Sequence, residues 1–354
     1  MGKLLSYSGT TTKIRAIKSR LLTRKDYETL AAMPTVTGAL AYLKQKPSYE
    51  ELFSGLDEST LHRSQVEQIL TYSVYADFQK IYRFSTVQQR AFMDLYFGRY
   101  EIAIMKRSLR MLFDHRNVST DLTIFTDFFN HHSDLDLNKL SASQTIDEFV
   151  ENLKGSIYYE PMKRLSDIES PTLWDYEMAL DLFYFGWFWK NGQKIFKDKE
   201  DRKIFMEAYG VKIDLLNMQW IYRSKRYYHM ENSSIYAHII PVTYHLTAQS
   251  IKDLVEAGNQ DELTAAVRKT YYGKRYPELT PHNLDQYYTE IRHKIQSKEA
   301  RNNPYSVATM VSYLYEKEHE VDRLTTILEC VRYGLPQEEI AKYINNYERG
   351  WVRD

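Results

Sequence analysis

Taken as a helix at 100° per residue, the stretch Leu314–Leu328 sets Leu314, Val321, Leu324 and Leu328 on one apolar stripe, with Lys317 at its edge. The pattern occurs 108 residues earlier as Met206, Tyr209, Ile213, Leu216 and Trp220. It occurs a further 111 residues earlier as Leu95, Gly98, Ile102, Met105 and Leu109. Around the central Ile102, Ile213 and Val321 the three copies read E-I-A, K-I-D and E-V-D. A second element follows nearly the same period. LLTRKDYETL…ALAYLK (21–44) aligns with HLTAQSIKDL…TAAVRK (245–269) at a constant offset of 224, and IDEFVENLK (146–154) supplies a middle copy. Tyrosines follow each copy: Tyr49, Tyr158 with Tyr159, and Tyr271 with Tyr272.

A period of roughly 110 residues is too long for a solenoid, whose units run to about 20–50 residues. It has the size of a small domain. The expectation is an all-α chain of three related helical bundles, at 1–115, 116–228 and 229–354, packed tightly together. No stretch shows the alternation of a half-buried strand. The 13 glycines and 9 prolines are few for 354 residues, which favours helices, and the prolines fall at helix starts or connections.

The faces opposite the stripe differ between copies. The first carries Tyr100, Ile104, Arg107 and Met111, and the second Val211, Leu215, Met218 and Tyr222, so both helices are expected to be sandwiched. The third carries Glu316, His319, Arg323 and Thr326, a face expected to meet water or another protein of an assembly. Glu316, His319, Glu320 and Arg323 are therefore the interface candidates.

Charge changes the picture by exclusion. Lys plus Arg number 47 and Asp plus Glu 47, spread along the chain, without the basic excess that phosphate contacts to nucleic acid require. Cys330 stands alone, so no disulfide framework or thiolate cluster forms within one chain, in keeping with a reducing compartment. Its place away from the stripe predicts a mildly exposed structural thiol. Thirty tyrosines favour large amphipathic contact surfaces. The longest apolar run, LFYFGWFW (182–189), falls well short of the roughly 20 residues of a membrane span. Met1–Lys25 has seven basic residues and no acid, a short signal like a transit peptide, and MGKLLS fits the myristoylation pattern.

Candidate chemistry is thin. Glu290/His293 and Glu316/His319 form two E-x-x-H pairs, the i, i+3 spacing of di-metal helical bundles. The helical wheel turns both pairs away from their apolar stripes, whereas bundle ligands project inward. HHSDLDLN (131–138) matches no closed metal site and reads as a polar connection. The chain contains no G-x-x-x-x-G-K-[ST], G-x-G-x-x-G or G-x-S-x-G. Trp187 and Trp189 read as helix–helix contacts. The residues leave three readings open: a part of a larger machine, a stand-alone helical adaptor, and a di-metal enzyme.

The triplicated helix, and above all NPYSVATMVSYLYEKEHEVDRLTTILECVRYGLPQEEI (303–340), resembles the family of C subunits of archaeal and bacterial A/V-type rotary ATPases, whose V-ATPase equivalent is the d subunit. The resemblance rests on Pro304 at the helix start, the run Tyr313, Lys317, Glu318, Glu320, and the closing Gly334-Leu335-Pro336. The E-[IV]-[AD] stretches at 101–103 and 320–322 fit as well, with Lys212 in place of the acid in the middle copy. The resemblance implies three wedge-like bundles around a pseudo-threefold axis, forming a funnel. It implies a non-catalytic rotor part without cofactor or metal, at the cytoplasmic face of the membrane. This part joins the central stalk subunits D and F to the membrane rotor ring of ion-carrying proteolipid subunits. Contacts of such a socket are expected to lean on loops and charged side chains rather than on one apolar plug.

Overall fold

The computed structural model describes residues 2–114 and 122–348. Among the described residues the secondary structure is helical throughout, with eighteen α-helices, two short 3-10 helices and no strand. The all-α expectation holds. Three helices are long: Val87–Phe113, Lys199–Arg226 and Val307–Arg332. The chain forms two compact units, one of Met1–Arg90 with Thr289–Asp354, the other of Ala91–Tyr288.

The helix ends follow local chemistry. Thr23 and Thr172 each accept the N–H three residues on, and Asp26 and Asp175 return the bond to the cap N–H, so both helices open with a full capping box. Val307–Arg332 starts behind Ser306, whose side chain accepts from the Ala308 N–H. It stops at Gly334, whose φ of +66° suits a residue without Cβ. There the Leu335 N–H donates to the Cys330 carbonyl and the Gly334 N–H to the Val331 carbonyl. This 6→1 and 5→2 pair is a Schellman stop, and Pro336 bars the helix from resuming.

In the first unit Val307–Arg332 packs against Lys3–Lys18, Arg24–Ala31, Val36–Lys44, Arg63–Phe84 and Gln337–Glu348. Tyr27, Leu30, Leu40, Leu43, Tyr49 and Phe53 share one core with Leu324, Ile327 and Leu328. The two ends of the chain thus build one core. The basic N-terminal stretch packs in the same unit, against Arg63–Phe84 and Val307–Arg332: Thr10, Thr11 and Ile14 are buried, and the Thr11 hydroxyl donates to the Pro304 carbonyl at 3.0 Å. Cys330 is buried as well, and burial raises its thiol pKa. That corrects the exposed thiol expected from the wheel, because Cys330 joins the core that the first helices build with this one.

The second unit is centred on aromatic rings. Phe188 lies 4.7 Å from Tyr209 and 5.5 Å from Phe205, with Phe92 6.5 Å away, at tilted and edge-on angles that suit ring quadrupoles. Gly192 lets the rings close, since a Cβ there would stand 2.0 Å from Phe205 Cζ. The second long helix is buried on both faces, at Ile213 and Tyr209 and again at Val211, Leu215, Met218 and Tyr222. Tyr100, Ile102, Ile104, Met105 and Leu109 do the same on the first. Both helices are sandwiched, as their sequences require.

Candidate functional site

The third long helix departs from expectation. Glu316 is 5% exposed, Lys317 1%, Glu320 3% and Arg323 6%. His319 is half-buried, its ring 4.2 Å from that of Tyr315. The face expected to meet water or a neighbouring protein is filled, for Glu316, Glu320 and Arg323, by this chain's own first helices. The wheel assigned charges to solvent, whereas here each charge has an internal counterpart. Lys18 Nζ reaches Glu316 Oε1 at 2.6 Å, and the Ser312 hydroxyl donates to the same oxygen at 3.0 Å. Arg323 lies over the Tyr27 ring, 5.2 Å from its centroid.

Glu320 is the best furnished. Its Oε1 accepts from the Tyr49 hydroxyl at 2.7 Å and from Lys317 Nζ at 2.8 Å, and its Oε2 accepts from the Leu22 N–H at 2.6 Å. Lys317 Nζ also sits 4.5 Å from the centroid of the Tyr49 ring. Leu22 precedes the Thr23 cap, so one carboxylate grips both ends of the paired helices Arg24–Ala31 and Val36–Lys44: the amide before them and the tyrosine after them.

The second unit holds two more such grips. Glu101, on the first long helix, accepts from the Tyr158 hydroxyl at 2.6 Å and from the Ser133 hydroxyl. Ser133 Oγ in turn accepts the Leu135 N–H at 3.0 Å, just before the Asp136 cap of Leu137–Ala142. Asp214, on the second long helix, accepts from the N–H groups of Tyr244, His245 and Leu246 at 3.0, 2.6 and 3.0 Å, and from the Tyr272 hydroxyl at 2.9 Å. Leu246 precedes the Thr247 cap of Ala248–Glu256. Three times, then, a carboxylate on a long helix ties down a capped helix pair by its leading edge and its closing tyrosine. Burial pushes Tyr49, Tyr158 and Tyr272 above the ordinary phenol pKa, and the carboxylate beside each adds to the rise. The hydroxyls therefore stay protonated and donate. Burial also raises Glu101 and Asp214, against the pull of their hydrogen-bond donors.

The tyrosines are those that the sequence repeat marks. The acids are only partly so. Glu101 and Glu320 occupy the E of E-I-A and E-V-D, but in the middle copy Lys212 lies 5.2 Å from the Phe185 ring centroid and Asp214 provides the carboxylate. The D of K-I-D was the available signal.

The remaining sequence candidates separate. Within HHSDLDLN, Ser133 donates to Glu101 and Asp136 caps Leu137–Ala142. His293 Nε2 lies 3.1 Å from the Ser297 hydroxyl, and Glu316 is taken up by Lys18 and Ser312. Among the described residues no three of His, Cys, Asp and Glu converge as metal ligands, and no helix is long and apolar enough to cross a membrane. Trp189 stacks on Phe205 at 6.0 Å, a helix–helix contact as its sequence position implies.

His132 supplies a pH-dependent element. Burial against Phe97 and Phe128, then the adjacent His131, pushes its pKa down from 6.5 to about 4. The unfolded chain takes up that proton first, so stability is full above pH 6.5 and declines as pH falls towards 4. His132→Phe, which keeps an aromatic ring in place, is expected to flatten this decline in Tm measured between those two values. Equal slopes in both proteins would count against it.

These features define an all-helical protein whose capped helix pairs are held to long helices by buried acids. The ATP synthase (C/AC39) subunit family matches it over residues 10–343, and the chain belongs to that family. It is similar to the C subunit of the A-type ATP synthase of Methanosarcina barkeri, 24% identical over 344 residues that cover 95% of this chain and 91% of the relative. The corresponding A-type protein of Archaeoglobus fulgidus is 24% identical, covering 93% of each chain. That of Pyrococcus abyssi is 23% identical, covering 97% of this chain and 91% of the relative.

Proposed function

We propose that this chain is a non-catalytic rotor component of an A/V-type ATP synthase, a socket that couples the central stalk subunits D and F to the membrane rotor ring and transmits torque for ion transport. On this reading it lies on the cytoplasmic face, and its three related segments, 1–115, 116–228 and 229–354, stand around a pseudo-threefold axis. The observation that carries the reading is the threefold use of one buried device, Tyr49 on Glu320, Tyr158 on Glu101 and Tyr272 on Asp214. A coupling under torsion must not creep. A helix pair fixed at both ends by charge-assisted bonds inside a close-packed core resists shear better than one held by apolar contact alone. Of the four interface candidates, Glu316, Glu320 and Arg323 are buried within the chain, which leaves the half-buried His319 as the one proposed to lie near a neighbour.

The test is attachment. The purified chain should hydrolyse no ATP and should bind a D–F subcomplex. Membranes lacking it should lose the stalk and regain it when the chain is added back. A stalk that stays on membranes lacking this chain would overturn the proposal.

A further inference from the structure

The corner between Leu173–Ile195 and Lys199–Arg226 opens into a surface cleft of about 680 Å³, a volume within the roughly 300–1,000 Å³ of small-molecule sites. Trp189 and Phe196 give it an apolar floor, and Lys190, Lys194, Lys197 and Arg202 line it with four cations and no carboxylate. The indole is held by its stack on Phe205, at 6.0 Å and 29°. Two acids adjoin the cleft cations in sequence: Asp198 caps the helix, accepting the N–H groups of Glu200 and Asp201, and Asp201 is itself buried. Elsewhere the chain pairs its cations freely: Lys106 with Asp181, Arg110 with Glu177, Lys46 with Asp26. Among the described residues none of the four cleft cations is held in an ion pair. In a chain whose charges balance, four unpaired cations gathered around an aromatic floor create a local positive potential that an anion relieves.

We propose that this cleft binds a phosphate-bearing ligand of multiple negative charge, its phosphate oxygens against Lys190, Lys194, Lys197 and Arg202 and its planar or apolar part against Trp189. A lone carboxylate would neutralise one of four cations. Phosphate offers several acceptor oxygens, suited to the guanidinium fork of Arg202 and to the point charges of the lysines. A base stacks on an indole, and an acyl glycerol backbone packs on one, so the same chemistry comes from a soluble nucleotide or from an anionic lipid headgroup.

The experiment uses the full chain with two probes: ATP by calorimetry without lipid, and flotation with phosphatidylglycerol-containing vesicles against pure phosphatidylcholine. Saturable binding of ATP assigns a soluble ligand. Flotation with the anionic vesicles alone assigns a headgroup. Either result must weaken with added salt and fall roughly a hundredfold in Lys194→Glu/Lys197→Glu, the scale of two lost charge-assisted contacts. Both side chains are exposed, so the fold should hold, with an unchanged Tm to check it. Binding to neither probe overturns the proposal. So does an equal loss in Lys154→Glu/Lys269→Glu, two exposed lysines outside the cleft, since that would mark general surface charge.

Discussion

Replacing Lys317 by methionine is expected to destabilise the first unit by about 3–5 kcal/mol, the usual penalty for leaving a buried charge without its partner. Glu320 would keep the Tyr49 hydroxyl and the Leu22 N–H, but its charge would stand in a 3%-exposed site without the ammonium that now neutralises it. The decisive comparison is the double variant Lys317→Met/Glu320→Gln. Glutamine retains an oxygen for Tyr49 or Leu22 and removes the charge, so the double variant should be more stable than Lys317→Met alone. Urea denaturation with a constant m-value measures both. If Lys317→Met loses less than about 1 kcal/mol, or the double variant falls as far as the single, the pair is not the element described here.

The second large effect is expected at Asp214. Leucine there strips the acceptor from three backbone N–H groups and the Tyr272 hydroxyl, and each buried donor left unpaired costs about 1–3 kcal/mol. Asp214→Leu should therefore lose at least ~4 kcal/mol or fail to fold, and Asp214→Asn, which keeps one oxygen, should fall between it and the parent chain. Titration gives a separate readout. Because burial raises the folded-state pKa, the folded chain holds its proton longer, and the contribution of Asp214 to stability decreases as pH climbs from the ordinary carboxylate value through the raised one. Asparagine has no such dependence, so its deficit should narrow across that interval. A deficit that widens there would contradict the sign.

The sequence carried more of the helical scaffold than of its interior electrostatics. Tyr49, Tyr158 and Tyr272 recur because each closes a capped helix pair, and a period can be read from local pattern. The partner of each tyrosine was hidden, since Tyr49 and Glu320 lie 271 residues apart and no local window contains both. The burial of Glu316 and Glu320 is hidden from the sequence for a related reason. A helical wheel ranks positions by their own polarity, and it cannot know that Lys18 arrives to pair with Glu316 and that the Leu22 N–H and the Tyr49 hydroxyl arrive to donate to Glu320. Asp214 was obscured by Lys212, which takes the acid's place in the repeat while the carboxylate moves two residues on. Nor does periodicity foretell that residues between Tyr27 and Leu70 share a core with residues between Leu324 and Ile340, because that is a matter of topology rather than of face.

That shared core has a consequence for biosynthesis. The unit of Ala91–Tyr288 is continuous and can mature while translation is still under way. The other must wait, its leading helices emerging early with Tyr27, Leu30 and Tyr49 uncovered until residue 320 leaves the ribosome. A message cut short before that point would release a finished middle flanked by an orphaned, sticky beginning, and quality control rather than assembly would be its fate.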